Sequence, residues 1–390
     1  ADAERYRHVA QLLLARDEDV QVTVVSAMKG VTGALIELCE LAARSRSEWR
    51  EPWHELRARH RGAVVSLLGE DSGPTLEWLD ERFDKLAEIL AALAVIGELP
   101  REVLDRVQGL GEVCSARLLG DYLKSKGEDC AVLDARDVLV VERSDLGVEV
   151  DWETSGARLA EWRSRNPQRR VVVTGFVARD RSNRITTLGR NGSDYSGAIF
   201  AALFDAAELH IWTDVDGVLS ADPRVVPEAV QLSALSYDEA CELAYFGAKV
   251  VHPQTMAPAI ERGLPIIIRN TFHPEHPGTR ITAERDVTGP VKGLTLSPDL
   301  AVLNLEGTGL IGVPGTAERV FASLRDARVS VVMISQGSSE HSICCVVRSA
   351  ESQRAQAALL NAFAHELTIG QIQRVQLTQG VSVLAAVGDG

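Results

Sequence analysis

Residues 187–197, TLGRNGSDYSG, combine glycines, hydroxyls and charges in a pattern suited to binding an anion. Gly189 and Gly192 can adopt positive φ and allow backbone N–H groups to approach a ligand closely. Arg190 can offer its planar guanidinium as a fork to a carboxylate or a phosphate. These residue types therefore favour the binding of carboxylate or phosphate groups.

The second half of this segment stands where a helix is predicted to begin. An apolar helix is expected over 198–207, so Ser193 and Asp194 lie at its N-terminus. Free N–H donors and the helix dipole favour bound phosphate at that position. The alternative is an ordinary strand-to-helix loop in which Ser193 or Asp194 caps the helix.

Residues 208–227, ELHIWTDVDGVLSADPRVVP, supply a second group of candidates. A predicted strand ends at Thr213 and Asp214, and ligands of parallel sheets bind beyond the carboxyl ends of the strands. We therefore expect both residues to contact a nucleotide, with Asp214 reaching Mg²⁺ through water. Asp216 is interpreted as a turn residue. Arg224 is a candidate phosphate contact, and the alternative is a surface arginine.

A third segment, FGAKVVHP at 246–253, closes a predicted helix. Lys249 is a candidate nucleotide ligand, although a lysine in the last turn of a helix often only complements the helix dipole. His252 precedes a proline and is interpreted as structural. The sequence contains no recognisable group of catalytic residues centred on a histidine.

The elements that must position these residues are helices and short apolar strands. An early strand at 21–26 precedes helical periods at 31–46, 51–69, 74–95 and 101–125. Apolar runs rich in Val and Ile follow at 130–133, 170–176, 208–213 and 265–269. Such runs are typical of strands buried on both faces, so the sequence predicts an α/β fold with a parallel sheet between helices.

The pattern changes after a polar boundary at 281–292. A β-α-β-β-α order follows, with strands at 300–305, 329–335 and 343–347 and helices at 314–328 and 350–366. This order predicts a ferredoxin-like domain. Residues 382–390, SVLAAVGDG, repeat features of 301–309, AVLNLEGTG, so a second copy is predicted to begin near 380–390.

Composition narrows the classes of function. The 390 residues carry a formal net charge of −14, which argues against a nucleic-acid surface. No apolar run is long enough to cross a membrane, so no membrane partner is expected. The six cysteines show neither a C-x-x-C pair nor a zinc spacing, and we predict a reduced cytoplasmic protein. Binding of anions by this chain requires basic groups or helix N-termini concentrated locally.

These motifs, in this order, resemble the amino acid kinase superfamily and specifically the aspartokinases. The likeness extends over the whole chain and rests on Val25-Ser26-Ala27 with Thr32, Gly111-Glu112, Gly189–Asp194, Trp212–Gly217 and Phe246–Pro253. Asn191 and the later SQGSSEHSI are most similar to the bifunctional aspartokinase/homoserine dehydrogenases. The resemblance implies a three-layer α/β/α sandwich with a mainly parallel sheet, followed by a ferredoxin-like (βαββαβ) ACT regulatory domain.

The resemblance also implies transfer of the γ-phosphoryl of ATP, with Mg²⁺, to the side-chain carboxylate of L-aspartate. The product would be 4-phospho-L-aspartate, in the first step towards threonine, methionine and lysine. Arg190 would bind the α-carboxylate of aspartate, and Glu112 and Asp194 would bind its ammonium group. Thr32 and Ser193 would offer hydroxyls near the reacting carboxylate. The alternatives are a helix cap for Thr32 and an exposed helix position for Glu112.

The nucleotide ligands that the resemblance implies are Ser26, Gly192, Thr213, Asp214, Arg224, Lys249 and Val250. The sequence departs from the family where Leu219 stands, since relatives often carry an aromatic residue there. The lysine-bearing K-F-G-G-T-S-V segment is also absent, so we expect further residues upstream of Ala1. The expected domains are a catalytic domain at 1–285 and an ACT region at 286–390, with its first unit at 293–367.

The ACT region is expected to pair with other copies and to bind a regulatory amino acid at Gly312, Val313, Gly315, Gln336, Ser338 and Ser339. Threonine is the predicted inhibitor and lysine is the alternative. A purely structural pairing domain is a further interpretation of this region. For the whole chain, the alternatives are a kinase that acts on glutamate or acetylglutamate, and a non-catalytic amino-acid sensor.

Overall fold

Apolar side chains spaced three and four residues apart form helices in the first 125 residues. The computed structural model describes residues 3–18, 20–144, 147–247, 252–285, 289–308, 313–336 and 341–388. Its N-terminal elements are α1 (Ala3–Leu14), β1 (Gln21–Val25), α2 (Val31–Arg44), α3 (Arg50–Leu68), α4 (Gly73–Ile96), α5 (Arg101–Gln108) and α6 (Leu110–Ser125).

Helix α4 illustrates how this helical layer is held together. Its buried apolar side chains are Leu79, Phe83, Leu86, Leu90 and Leu93, and their spacing of four and three residues aligns them on one face. They belong to one hydrophobic cluster that also takes side chains from α1, α2, α3 and α6. Burial of this face, more than the intrinsic helix propensity, stabilises the helices.

One helix was predicted over 101–125, but the structure has two, α5 and α6, divided at Gly109. A Cβ at Gly109 would lie 2.3 Å from Cγ1 of Val177, so the backbone here is in direct contact with a neighbouring strand. Gly109 thus has no room for a side chain, and the local helical period does not reveal this tertiary contact.

Strands and helices alternate in the middle of the chain. The elements are β2 (Cys130–Leu133), α7 (Ala135–Val138), β3 (Val140–Ser144), β4 (Gly147–Val150), α8 (Trp152–Arg165), β5 (Arg170–Thr174), β6 (Val177–Asp180), β7 (Ile185–Thr187), α9 (Gly192–Leu203) and β8 (Leu209–Thr213). They continue as β9 (Ala234–Ser236), α10 (Tyr237–Tyr245), α11 (Pro253–Glu261), β10 (Ile266–Asn270) and β11 (Thr279–Thr282).

The prediction of parallel strands is confirmed, and β2, β5 and β10 are largely buried, whereas β1 and β8 are mostly half-buried. Strands β1 and β2 flank β5, and both pair with it in parallel. Every residue of β5 is buried, as its run of three valines predicts. Strands β8 and β10 are also parallel, in a sheet of order β8-β10-β11-β9. A further sheet of four strands has the order β4-β3-β6-β7, and β7 leads into the segment that contains Arg190.

Contacts divide the chain into two units. The first comprises Ala1–Val218, Gln231–Cys241 and Lys249–Asp286, and the second comprises Leu219–Val230, Glu242–Ala248 and Val287–Gly390. The two segments 219–230 and 242–248 therefore belong to the second unit, although both precede the polar boundary at 281–292.

The second unit contains the predicted ferredoxin-like arrangement. Its elements are β12 (Gly293–Glu306), α12 (Thr316–Asp326), β13 (Val331–Gln336), β14 (Ser342–Arg348), α13 (Ser352–Ala362), α14 (Ala364–Thr368) and β15 (Arg374–Val387). The sheet has the order β13-β14-β12-β15 and all of its pairings are antiparallel. Side chains of α12 and α13 cover one face and form a separate hydrophobic cluster. The predicted βαββαβ fold is confirmed.

The last strand of this sheet, β15, begins after residue 367, which was the predicted end of the first ACT unit. It pairs along β12 from Glu306 opposite Arg374 to Gly293 opposite Val387. Residues 382–387, which were predicted to begin a second copy, lie in the second half of this strand. The second copy itself stays a prediction.

The composition led to two expectations: that no segment crosses a membrane and that the cysteines are reduced. Within the described residues, no helix combines the length and apolarity that a membrane crossing requires. No disulfide links the six cysteines. Burial raises the pKa of the thiols of Cys39 and Cys114 to about 12, so both behave as small apolar groups.

The packing of α6 on β2 predicts opposite effects of the same substitution at two helical glycines. A Cβ at Gly120 would lie 2.2 Å from Cγ2 of Val132, whereas a Cβ at Gly62 in α3 would meet no atom within 4 Å. We expect Gly120→Ala to lower the free energy of unfolding by about 1–3 kcal/mol through overpacking. Gly62→Ala should raise it by about 0.5–1 kcal/mol through helix propensity. Denaturant unfolding of both variants would measure this, and equal effects would contradict the packing.

Candidate active site

A cleft of about 340 Å³ lies in the first unit, within the size range of small-molecule sites. The structure brings six of the predicted site residues together around it, although they come from three distant stretches of the chain. These residues are Ser26, Thr32, Glu112, Gly192, Ser193 and Asp194.

The floor of the cleft is the carboxyl end of the parallel sheet. β1 ends at Val25 and β5 ends at Thr174, and these two residues are register partners. Ser26, which follows β1, and Phe176, two residues after β5, both line the cleft. The N–H of Gly175 donates to the carbonyl of Val25 at 2.9 Å. The site thus lies where parallel sheets bind ligands.

Three helices begin at this edge of the sheet. Thr32 is in the first turn of α2, Glu112 in the first turn of α6 and Asp194 in the first turn of α9. The first N–H groups of a helix have no partner within the helix, and the dipole adds positive potential there. Three such ends around one cleft attract anions without any basic side chain.

The capping interpretations of Thr32, Ser193 and Asp194 are wrong. The N-cap of α2 is Gly30 and the N-cap of α9 is Asn191, and neither helix has a side-chain cap. Both N-cap residues have positive φ, which turns the chain sharply into the helix. The hydroxyl of Thr32 and the side chains in the first turn of α9 are therefore not used as caps.

Close contacts between backbone segments bring the three helix ends together. A Cβ at Gly111 would lie 2.6 Å from Cβ of Ala27, and a Cβ at Gly175 would lie 2.8 Å from Oγ of Ser193. The sequence reasoning missed Ser196, which is fully buried and joins β5 to α9. Its Oγ accepts from the N–H of Phe176 at 2.8 Å and donates to the carbonyl of Gly192 at 2.9 Å.

Glu112 is the most unusual side chain of the cleft. It is 4% exposed, so the interpretation as an exposed helix residue is wrong, and its Oε2 has no hydrogen-bond partner in the described structure. Burial raises the pKa of this carboxyl to about 7, and the nearby backbone amides of Glu112 and Ala27 partly offset the shift. Burial also raises the pKa of Asp194. Two partly desolvated carboxyls in one cleft favour a cationic ligand group.

Lys29 also lines the cleft, although the sequence indicated only a turn between β1 and α2 there. Its side chain is exposed and forms no ion pair with the part of the chain that the structure describes. The Nη2 of Arg59 on α3 donates to the carbonyl of Lys29 at 3.0 Å and so fixes this turn. The signal that could have identified Lys29 is its position, directly after a parallel strand and before a helix.

Arg190 does not line the cleft, although Gly189 and Asn191 on either side of it do. The side chain is exposed, and no carboxylate among the described residues forms a salt bridge with it. The guanidinium is thus available for an anion at the edge of the cleft.

Several residues that were predicted to contact the nucleotide do not line the cleft. Thr213 and Asp214 stand at the end of β8 as predicted, with Thr213 Oγ1 donating to Asp214 Oδ1 at 3.3 Å, but neither residue lines the cleft. Arg224 belongs to the second unit and forms a two-pronged ion pair with Asp222, with Nη2 at 2.6 Å from Oδ2. Asp216 accepts from Nδ2 of Asn270 at 2.7 Å, in keeping with its interpretation as a turn residue.

Several predicted residues lie outside the described part of the chain: Lys249, Val250, Gly312, Ser338 and Ser339. Of the other predicted regulatory residues, Val313 is exposed, Gly315 is the N-cap of α12 and Gln336 ends β13. The described residues of this region thus include one helix N-terminus with free N–H donors.

Comparison with known proteins agrees with this geometry. A model of the amino acid kinase family matches residues 1–270, and an ACT domain model matches residues 303–363. The chloroplastic bifunctional aspartokinase/homoserine dehydrogenase 1 of Arabidopsis thaliana is 40% identical, and the match covers 99% of this chain and 43% of the relative. The chain therefore spans less than half the length of such bifunctional relatives.

Monofunctional relatives match over more of their length. Chloroplastic aspartokinase 1 of Arabidopsis thaliana is 30% identical, over 100% of this chain and 68% of the relative. Aspartokinase III of E. coli, solved with aspartate and ADP, gives a TM-score of 0.82 at 26% identity, over 100% of this chain and 85% of that chain. Its complex with lysine and aspartate gives a TM-score of 0.80 and covers 84% of that chain. The predicted resemblance is confirmed: the chain belongs to the amino acid kinase family and, within it, to the aspartokinases.

Proposed function

We propose that this chain transfers the γ-phosphoryl group of ATP to the side-chain carboxylate of L-aspartate, giving 4-phospho-L-aspartate. The observation that carries the proposal is the buried Oε2 of Glu112, which has no hydrogen-bond partner among the described residues and lies in a cleft at three helix N-termini. Such a cleft offers negative charge to an ammonium group and positive potential to carboxylates and phosphates. Aspartate and ADP are the ligands of the structurally similar E. coli aspartokinase III.

Each charged group of aspartate has a counterpart in the proposal. Glu112 and Asp194 bind the ammonium group, which distinguishes an amino acid from a plain dicarboxylate. Arg190, exposed beside the cleft, binds the α-carboxylate as a fork. Thr32 and Ser193 donate hydroxyl hydrogen bonds to the reacting carboxylate. This arrangement fixes the nucleophilic oxygen for in-line attack, which is the main contribution a protein makes to phosphoryl transfer.

The proposed reaction needs no general base. A side-chain carboxylate with an ordinary pKa of about 4 is already ionised and nucleophilic at neutral pH. What the reaction requires is stabilisation of negative charge on the transferring phosphoryl group. The N–H groups that begin α2 and α9 and the ammonium of Lys29 supply positive potential at the cleft.

The nucleotide side of the proposal uses Ser26, Gly192, Thr213 and Asp214, together with Arg224, Lys249 and Val250. Among the described residues, no group of three or more His, Cys, Asp or Glu side chains converges to hold a metal ion. The donor set does not fit a resident metal site, so we treat Mg²⁺ as part of the MgATP substrate.

We propose that the ACT unit regulates the kinase by binding an amino acid, with threonine as the inhibitor. The support is the N-terminus of α12 and the similarity to bifunctional plant enzymes. Lysine is the alternative, since it is bound by E. coli aspartokinase III. Pairing of ACT units into a homo-oligomer, a following homoserine dehydrogenase region, a cytoplasmic location and the absence of nucleic-acid partners stay predictions.

An acyl-phosphate trap tests the proposed reaction. The full gene product that carries this chain is incubated with MgATP, hydroxylamine and either L-aspartate or L-glutamate, and the hydroxamate is measured by its iron complex. We expect hydroxamate with aspartate and none with glutamate, and we expect threonine to suppress the signal and lysine to leave it unchanged.

Other outcomes of this assay identify the alternatives. Hydroxamate with glutamate in place of aspartate would favour the glutamate kinase interpretation. Calorimetric binding of an amino acid without any hydroxamate would favour the non-catalytic sensor. Suppression by lysine and not by threonine would reverse the proposed regulation while leaving the kinase assignment intact.

The raised pKa of Glu112 predicts a pH dependence of aspartate use. Below about pH 7 the carboxyl becomes protonated and neutral, and it can no longer pair with the ammonium of aspartate. The KM for aspartate should therefore rise as the pH falls from 8 to 6. In Glu112→Gln the KM should be at least about tenfold higher at pH 8, since an ion-pair contact in a closed site is lost, and should vary little with pH.

Glu112→Gln should weaken the binding of aspartate, but it should make the folded protein more stable. The folded protein binds the Glu112 proton more tightly than the unfolded chain does, so this group lowers the free energy of unfolding as the pH rises from about 4.5 to about 7. Glu112→Gln should therefore raise that free energy by up to about 3 kcal/mol at pH 8 and change it little at pH 4.5. Denaturant unfolding at the two pH values measures this. A destabilised variant at pH 8 would contradict the proposed cost of burial.

A further inference from the structure

A charged network involves four side chains outside the cleft lining, and none of them was among the predicted site residues. Asp105, on α5, is 8% exposed, and its Oδ2 lies 3.1 Å from Nη2 of Arg143 on β3. Its Oδ1 accepts a hydrogen bond from Nε2 of Gln108 at 2.9 Å. Both carboxylate oxygens of this nearly buried aspartate are thus satisfied by side chains from two different elements.

The network ends on Thr187, the last residue of β7, which is 2% exposed. Nη2 of Arg143 donates to both the carbonyl oxygen and Oγ1 of Thr187, each at 3.0 Å. Nε2 of Gln108 donates to the same Oγ1 at 3.2 Å. One hydroxyl oxygen therefore accepts from two side chains that are themselves joined through Asp105.

Both ends of the network are close along the chain to residues that line the cleft. Gln108 ends α5, and Glu112 follows it by four residues in the first turn of α6. Thr187 precedes Gly189, which lines the cleft, by two residues, and Arg190 by three. The N–H of Leu188 donates to the carbonyl of Phe176, another cleft residue, at 2.9 Å. A shift of Thr187 relative to Gln108 would therefore alter the separation of the two walls.

We propose that Asp105, Gln108, Arg143 and Thr187 form a positioning network that sets the distance between Glu112 and the loop 189–194. This inference rests on the proposed function, because that function assigns the ammonium of aspartate to Glu112 and its α-carboxylate to Arg190. Buried, charge-assisted hydrogen bonds are directional and costly to leave unmade, so they hold two segments more rigidly than apolar contacts do. A displacement of about 1 Å between binding groups is enough to impair catalysis strongly.

Thr187→Val tests the network because valine keeps the shape of threonine and removes the Oγ1 acceptor. In the full gene product we expect the KM for aspartate to rise by about tenfold and the KM for ATP to rise less, because Gly192 is the loop's one proposed nucleotide contact. Thr187→Ser restores Oγ1 and should return the KM for aspartate to near its original value. Thr186→Val is the matched control, because Thr186 is the buried neighbour of Thr187 and stands outside the network.

Hydrogen exchange supplies a readout that does not depend on activity. In Thr187→Val the peptide that covers 188–194 should exchange faster than in the original protein and in Thr186→Val, while peptides of β1 and β5 keep their protection. Faster exchange throughout the first unit would indicate a merely structural role and would overturn the inference.

The outcomes separate the inference from the proposed function. If the original protein forms aspartyl hydroxamate and Thr187→Val has the same KM for aspartate as Thr186→Val, the network has no positioning role. If the original protein forms no hydroxamate, the proposed function fails, and the exchange of 188–194 then decides whether the network holds the loop. Failure of Thr187→Ser to restore the KM would also overturn the inference.

Discussion

The structure depends on one steric constraint: the N-termini of α2, α6 and α9 have to meet at the carboxyl ends of β1 and β5. This convergence has room for hydrogen atoms at Gly111 and Gly175 and for nothing larger. It brings the positive ends of three helix dipoles to one cleft of about 340 Å³. A chain with a net charge of −14 can thereby attract anions locally, through its backbone more than through basic side chains.

The meeting of these three helix ends also buries Glu112. Its burial makes the folded protein less stable and favours the binding of a ligand with an ammonium group. A carboxylate without a partner for Oε2 is costly in the folded protein, and its raised pKa records that cost. A ligand that brings an ammonium group to Oε2 satisfies the carboxylate. An amino acid gains binding energy from the contact of its ammonium group with Glu112, and a plain dicarboxylate has no group that can make this contact. This difference accounts for the proposed selectivity for an amino acid over a dicarboxylate.

The sequence revealed much of the fold and part of the site, for identifiable reasons. The spacing along α4 and the valines of β5 predict helix and buried strand locally, and contiguous motifs predicted the residues that converge on the cleft. Lys29 lies outside the predicted motifs, and Ser196, although it lies within the segment 187–197, gains its role from hydrogen bonds to Phe176 and Gly192 that the sequence does not show. Long-range contacts were also hidden: Thr187 lies 44 residues from Arg143, and Gly109, where the predicted helix is divided, packs against Val177 in a distant strand.

The most direct test of this account is a crystal structure of the protein with L-aspartate and MgADP bound. We expect aspartate in the cleft, with its ammonium nitrogen about 3 Å from a carboxylate oxygen of Glu112 and its α-carboxylate on Arg190. Aspartate bound in the reverse orientation, with a carboxylate directed at Glu112, would contradict the account, as would aspartate bound outside the cleft.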